Sequence, residues 1–144
     1  MPDSQNWLAW ALLSATFAAL TAIFAKVGLE GIDSDYATLL RTAVILLTLG
    51  VLTAALGKWR DPTQLPLRSV TFLVLSGLAT GASWLCYFRA LKAGEASRVA
   101  PIDKLSVVLV AIFATAFLGE RPTPREWFGI GLVGAGALLL SLKR

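Results

Sequence analysis

SVTFLVLSGLATGASWLCYF, residues 69–88, runs for 20 residues without a charge, the length a straight helix needs to cross the hydrocarbon core of a bilayer. Four further charge-free runs flank it: Trp7–Ala25, Thr42–Gly57, Leu105–Gly119 and Trp127–Leu142, of 19, 16, 15 and 16 residues. The 13 basic and 9 acidic residues all lie between these runs or in the tails. A chain is patterned this way when water meets it only beyond its helix ends. The expectation is an all-α membrane protein with five transmembrane helices, multi-pass in the cell (inner) membrane.

Composition agrees. Of 144 residues, 56% are hydrophobic and 15% charged, with mean hydropathy +0.70; a soluble domain carries about a quarter charged residues and shows amphipathic stripes. The net charge of +4 sits at helix ends, where it suits lipid headgroups, and forms no basic run interleaved with aromatics, so no nucleic-acid partner is expected. Without histidine, an imidazole metal site and a histidine proton relay are excluded. No ATP motif, metal-ligand cluster or nucleophile arrangement is present, so neither a cofactor, a metal nor enzymatic chemistry is expected. Cys86, alone in the sequence, cannot form an intrachain disulfide. The opening residues Met1–Asn6 lack the basic region of a cleaved signal, so the first run reads as a retained span.

The shorter runs must recruit neighbours to reach about 20 residues. That draws Arg41 into the second helix, and Pro101, Asp103 and Lys104 into the fourth; Trp127 and a snorkelling Lys143 complete the fifth. The predicted spans are 7–29, 36–57, 68–91, 98–119 and 126–142 of a single module, with Gly- and Pro-bearing turns between them. Threading them puts Lys58, Arg60, Arg68, Arg121 and Arg125 on the side of the N-terminus, and Lys26, Arg41, Arg89, Lys92, Arg98, Lys104, Lys143 and Arg144 opposite. Several of the latter sit within helix ends, so the positive-inside rule selects no orientation.

Depth is the sharper asymmetry. Lys26, Arg41, Arg89, Asp103 and Lys104 fall a turn or more inside the predicted spans, so one end of the bundle is unusually polar. Either a wet vestibule admits a polar solute there, or long side chains snorkel and Asp103 is neutralised by a neighbouring base. Trp84, Tyr87, Phe88 and Leu91 follow i, i+3, i+4, i+7 in the third helix. Such a face holds an apolar or cationic substrate with Asp103 nearby, or forms an interfacial belt. Ser14, Thr16 and Thr21 either line a polar path or bond the carbonyl one turn back. Gly129-Ile-Gly131-Leu-Val-Gly134 matches a dinucleotide fingerprint but follows no strand. Gly131, Gly134 and Ala135 instead share a face that lets another helix approach closely, as do Gly77 and Gly81 in the third helix, within or between subunits.

Phe24-Ala-Lys26-Val-Gly closing the first helix, Leu40-Arg41 early in the second, and Tyr87-Phe88-Arg89-Ala-Leu-Lys92 closing the third resemble the EamA-type module of the drug/metabolite transporter superfamily. Leu118-Gly119-Glu120-Arg121 and Trp127-Phe128-Gly129 extend the resemblance over nearly the whole chain. Members usually carry two five-helix modules; this sequence resembles the half-length relatives. The resemblance implies a membrane transporter of small solutes or metabolites, one half of an inverted-repeat transporter working by alternating access. An odd span count inverts a second module, so a lone module regains that symmetry as an antiparallel homodimer or with a related half-transporter. Ser14, Lys26, Arg41, Trp84, Tyr87, Asp103 and Lys104 are then the candidates for lining the substrate path or coupling. Gly77, Gly81, Gly131, Gly134 and Ala135 are the candidates for helix packing or the dimer interface. Small exporters use a helix-one glutamate, absent here, so proton coupling would fall to Asp103. The alternatives are a flippase half for a lipid-linked carrier and a non-transporting assembly or regulatory subunit.

Overall fold

The computed structural model describes residues 6–142, and every regular element among them is helical. They are α1 (Asn6–Gly28), α2 (Ser34–Ala55), α3 (Leu67–Ala93), α4 (Ala96–Asp103), α5 (Ser106–Phe113) and α6 (Pro124–Ser141), with a short 3-10 turn at Pro62–Gln64 and a π-helical turn at Ala114–Leu118. Lys143, expected to snorkel, and Arg144 lie outside the described residues.

Local chemistry sets the helix ends. Asp33 caps α2, its carboxylate accepting from the N–H groups of Asp35 and Tyr36, which starts the helix two residues before the predicted 36. Gly57, at φ +62°, ends it: its N–H donates to Ala54 and that of Lys58 to Thr53, a Schellman closure that glycine accommodates without strain. In the next loop, the hydroxyl and N–H of Thr63 both donate to Asp61 and hold its carboxyl below the ordinary aspartate value. This support for the turn is present above the unfolded-state pKa and is lost as pH falls through the folded one. Thr123 begins α6 with a capping box: it accepts from the Glu126 N–H while the Glu126 carboxylate accepts from the Thr123 N–H.

The predicted fourth helix is interrupted. Pro101 has no N–H to return to Ser97, and just beyond it the chain tightens: Lys104, Leu105, Val107 and Val108 each donate three residues back. The outcome is α4 and α5 with a break at Lys104–Leu105, in place of one continuous 98–119 rod. The π turn then ends at Gly119 (φ +70°), where the N–H groups of Gly119 and Glu120 converge on the Ala114 carbonyl.

Four helical stretches are long and apolar enough to cross a membrane: Trp7–Gly28, Ser34–Ala55, Leu67–Ala93 and, counting α4, α5 and the π turn together, Ala96–Leu118. The expected fifth, α6, has 18 residues with Glu126 in its first turn, about 27 Å of helix against a core of about 30 Å. Its charged first turn leaves it less apolar than the other four, so the five-span expectation is met for four.

The chain forms two compact units. One joins the described residues up to Ile23 to those from Ala93; the other is Phe24–Lys92. In the first, α6 packs along α4 and α5, and the buried residues are small: Ala22, Ala114, Gly134 and Ala137. In the second, Leu29, Phe88 and Leu91 are buried with Ser34 and Thr38. The Thr38 hydroxyl donates to the Ser34 carbonyl one turn back, which satisfies a buried polar group inside its own helix.

Candidate functional site

In the second unit, four cations lie on the last turns of α1 and α3 and the first turns of α2. Lys26 Nζ donates to the Leu91 carbonyl and Lys92 Nζ, at 2.7 Å, to that of Ile32. Each helix-end amine thereby satisfies a carbonyl that its own helix or turn leaves open. Arg89 makes a two-pronged pair with Asp35, Nε to Oδ1 at 2.8 Å with the second donor on Oδ2. Asp35 lies within α2 rather than in the expected turn, so Asp103 is not the only acid inside a candidate span.

Arg41 is different. Its guanidinium carbon sits 4.0 Å from the Trp84 ring centroid and 5.3 Å from that of Phe88, a cation–π seat formed because residue 41 faces α3 two turns into α2. Tyr87 is within electrostatic reach of the same group. The face Trp84, Tyr87, Phe88, Leu91 does turn inward: Phe88 and Leu91 are buried, Trp84 and Tyr87 half-buried. Its cation is the chain's own.

The first unit holds the remaining candidates. Asp103 and Lys104 flank the helix break and pair at 3.5 Å, both well exposed. Ser14 is exposed on α1, and the Thr16 hydroxyl bonds the Leu12 carbonyl one turn back. Among the described residues no group of three or more acidic or cysteine side chains is arranged to hold a metal ion. The glycine face of α6 divides. A Cβ on Gly134 would meet Val108 Cγ2 at 3.0 Å, whereas Gly131, like Gly77 and Gly81 on α3, has open space there and Ala135 is exposed. Between α5, the π turn and α6 runs an open groove of about 770 Å³, lined by Val107, Val110, Ala111, Ile130 and Val133, with Glu120, Arg121 and Glu126 supplying its polar part.

Sequence comparison adds the decisive fact: the profile of the EamA-like transporter family matches residues 5–142. The chain belongs to that family. An "uncharacterized transporter in cobO 3'region" of Sinorhizobium sp is 60% identical over 139 residues, 96% of this chain and 99% of the relative. The "probable 4-amino-4-deoxy-L-arabinose-phosphoundecaprenol flippase subunit ArnE" of Yersinia pestis (strain Pestoides F) is 30% identical over 84 residues, 58% of this chain and 74% of the relative. The protein of that name from Yersinia pseudotuberculosis serotype O:3 (strain YPIII) matches equally. No solved structure matches. This EamA-family chain is therefore a multi-pass inner-membrane protein of a transporter family rather than of an enzyme family, as its apolar helices require.

Asp33 and Asp35 are not among the residues the sequence singles out, because both fall in the predicted turn before residue 36. Their signal was the helix-start pattern Asp33-Ser34-Asp35. The π turn left no signal beyond Gly119.

Proposed function

We propose that this chain is a half-transporter: a module of five crossings, α6 included, that pairs with an antiparallel second copy or a related half. Rocking of one module against the other alternately exposes a small solute. Ser14, Lys26, Arg41, Trp84, Tyr87, Asp103 and Lys104 line the path or couple it, and Gly77, Gly81, Gly131 and Ala135 meet the partner. Gly134 serves packing inside the module. The observation that carries this reading is how little of the spans the chain covers: at most 11% of the apolar window of any candidate span is buried. Leu46, Leu78 and Phe72 are 72%, 67% and 62% exposed, leaving the surface to lipid or a second module. The interruption of the fourth rod beside Asp103 and Lys104 matches the broken helices that transporters place at substrate sites.

The test uses Cys86, the one cysteine in the sequence and exposed on α3, which takes a spin label without mutagenesis. Dipolar spectra in liposomes should show one discrete inter-copy distance, with counterflow of solute from a metabolite panel in the same vesicles. A monomeric spectrum with full counterflow overturns the pairing; discrete pairing with no flux for any solute overturns transport.

A second reading, a flippase half, is favoured by the groove of the first unit, whose apolar wall and charged portion suit a lipid chain and its headgroup, and by the name of the Yersinia relatives. It predicts a polyprenyl or acyl lipid retained through purification, and its loss on Val110→Trp.

A further inference from the structure

Of the four cations gathered on the last turns of α1 and α3 and the first turns of α2, Lys26, Arg89 and Lys92 each donate to a carbonyl or carboxylate. Arg41 has no hydrogen-bond or ion-pair acceptor among the described residues; its contacts are the rings of Trp84 and Phe88. An aromatic seat satisfies the charge through the ring quadrupole but accepts none of the five N–H donors. Two turns inside a span whose other charge, Asp35, is paired with Arg89, such a group lacks an anion. Arginine's planar fork matches carboxylate and phosphate oxygens in pairs, and a ring beneath it fixes its position. Lys26 and Lys92, within the same last turns, add positive potential, while Asp35 is engaged by Arg89.

The cationic-substrate reading of the aromatic face fails on the same geometry, because that face already carries a cation. We infer that Arg41 is an oxyanion-binding residue of the transport site and that the ligand bears a carboxylate or phosphate. The assignment rests on the transporter reading for its role in flux, though binding is measurable apart from flux.

The test is modification of the wild-type protein in detergent by phenylglyoxal, read arginine by arginine by peptide mass spectrometry. Inorganic phosphate or benzoate should slow reaction at Arg41 about tenfold, as a charge-assisted two-pronged contact would, and leave Arg60 and Arg121 unchanged. Benzamide and choline should give no protection. Repeating the reaction in nanodiscs distinguishes the source: protection by phosphatidylglycerol over phosphatidylcholine without added solute identifies a lipid headgroup, and protection only by added anion identifies a soluble ligand. No protection by phosphate, benzoate or anionic lipid overturns the assignment, as does equal protection by benzamide. In proteoliposomes, Arg41→Lys should retain part of the benzoate counterflow that Arg41→Gln loses. Protection at Arg41 with no flux in wild type leaves the anion site standing and removes transport. Flux of choline or benzamide without protection leaves transport standing and removes the anion site.

Discussion

The two units of the chain are held by different physics. In the unit built from the start of α1 and the residues from Ala93, the buried positions are alanine and glycine, and the side-chain polar contacts among the described residues are local, such as Thr123 with Glu126 and Asp103 with Lys104. Helices approach closely there because their side chains are small, which is how apolar helices associate where lipid removes the hydrophobic driving force. In the 24–92 unit the helices carry larger side chains, and contacts between residues 54 to 65 apart in sequence tie their ends: Lys26 to Leu91, Lys92 to Ile32 and Arg89 to Asp35. Close packing builds a groove beside α6, whereas the tied helix ends of the other unit leave the Arg41 guanidinium on its aromatic seat without an acceptor among the described residues. The contrast assigns different sensitivities: volume in the first unit, charge in the second.

The strongest challenge to that contrast is Gly134→Leu. The new side chain would overlap Val108, and overpacking of a close helix contact costs about 1–3 kcal/mol, measured as unfolding in mixed micelles by tryptophan fluorescence. Gly131→Leu, with nothing within 4 Å, should leave that value unchanged while weakening association of copies in the proposed dimer. Equal destabilisation by both would mean that the packing assigned to the first unit is wrong. Next in size is Gly119→Ala, which forces a non-glycine residue to φ +70° at a cost of roughly 1–2 kcal/mol and loosens the π turn. Thr123→Ala removes the cap of α6 and should cost about 1 kcal/mol, with Thr123→Ser close to wild type. A larger loss from Thr123→Ala than from Gly134→Leu would mean that polar capping rather than volume holds this unit.

Much of this was legible in the sequence, and the gaps have physical causes. The apolar runs gave the rods, because charge is excluded from lipid, and the rods begin and end within two residues of the predicted bounds. The break after Pro101 was not placed because proline fixes only the loss of a donor; which later residues tighten depends on how α4 and α5 meet α6. The fifth span is less apolar than the other four because Arg125 and Glu126, expected outside or at the end of the helix, belong to its first turn. Arg41 and the aromatic face of α3 were each visible, but their contact depends on the register between α2 and α3, which a periodicity does not carry. For the same reason the glycines of α6 could be grouped but not sorted: rotation of the helix turns Gly134 inward and leaves Gly131 open.

The smallest expected effect tests the charged half of the contrast. Arg89 and Asp35 are 61% and 45% exposed at the side chain, so their attraction is screened and the helix-end tie contributes less than the packing changes above. Arg89→Gln and Asp35→Asn should each lower stability slightly, and their double mutant should lose less than the sum, since each single change already removes the pair. Raising ionic strength until the Debye length is about 3 Å should reduce that coupling while leaving the Gly134→Leu penalty untouched, because steric overlap does not respond to salt. A salt-insensitive coupling as large as the glycine penalty would show that lipid, not water, surrounds the pair. The charge-tied end would then lie at hydrocarbon depth, and Arg41, a turn and a half further along α2, would be deeper still, where an anion to complete its fork becomes a stronger requirement.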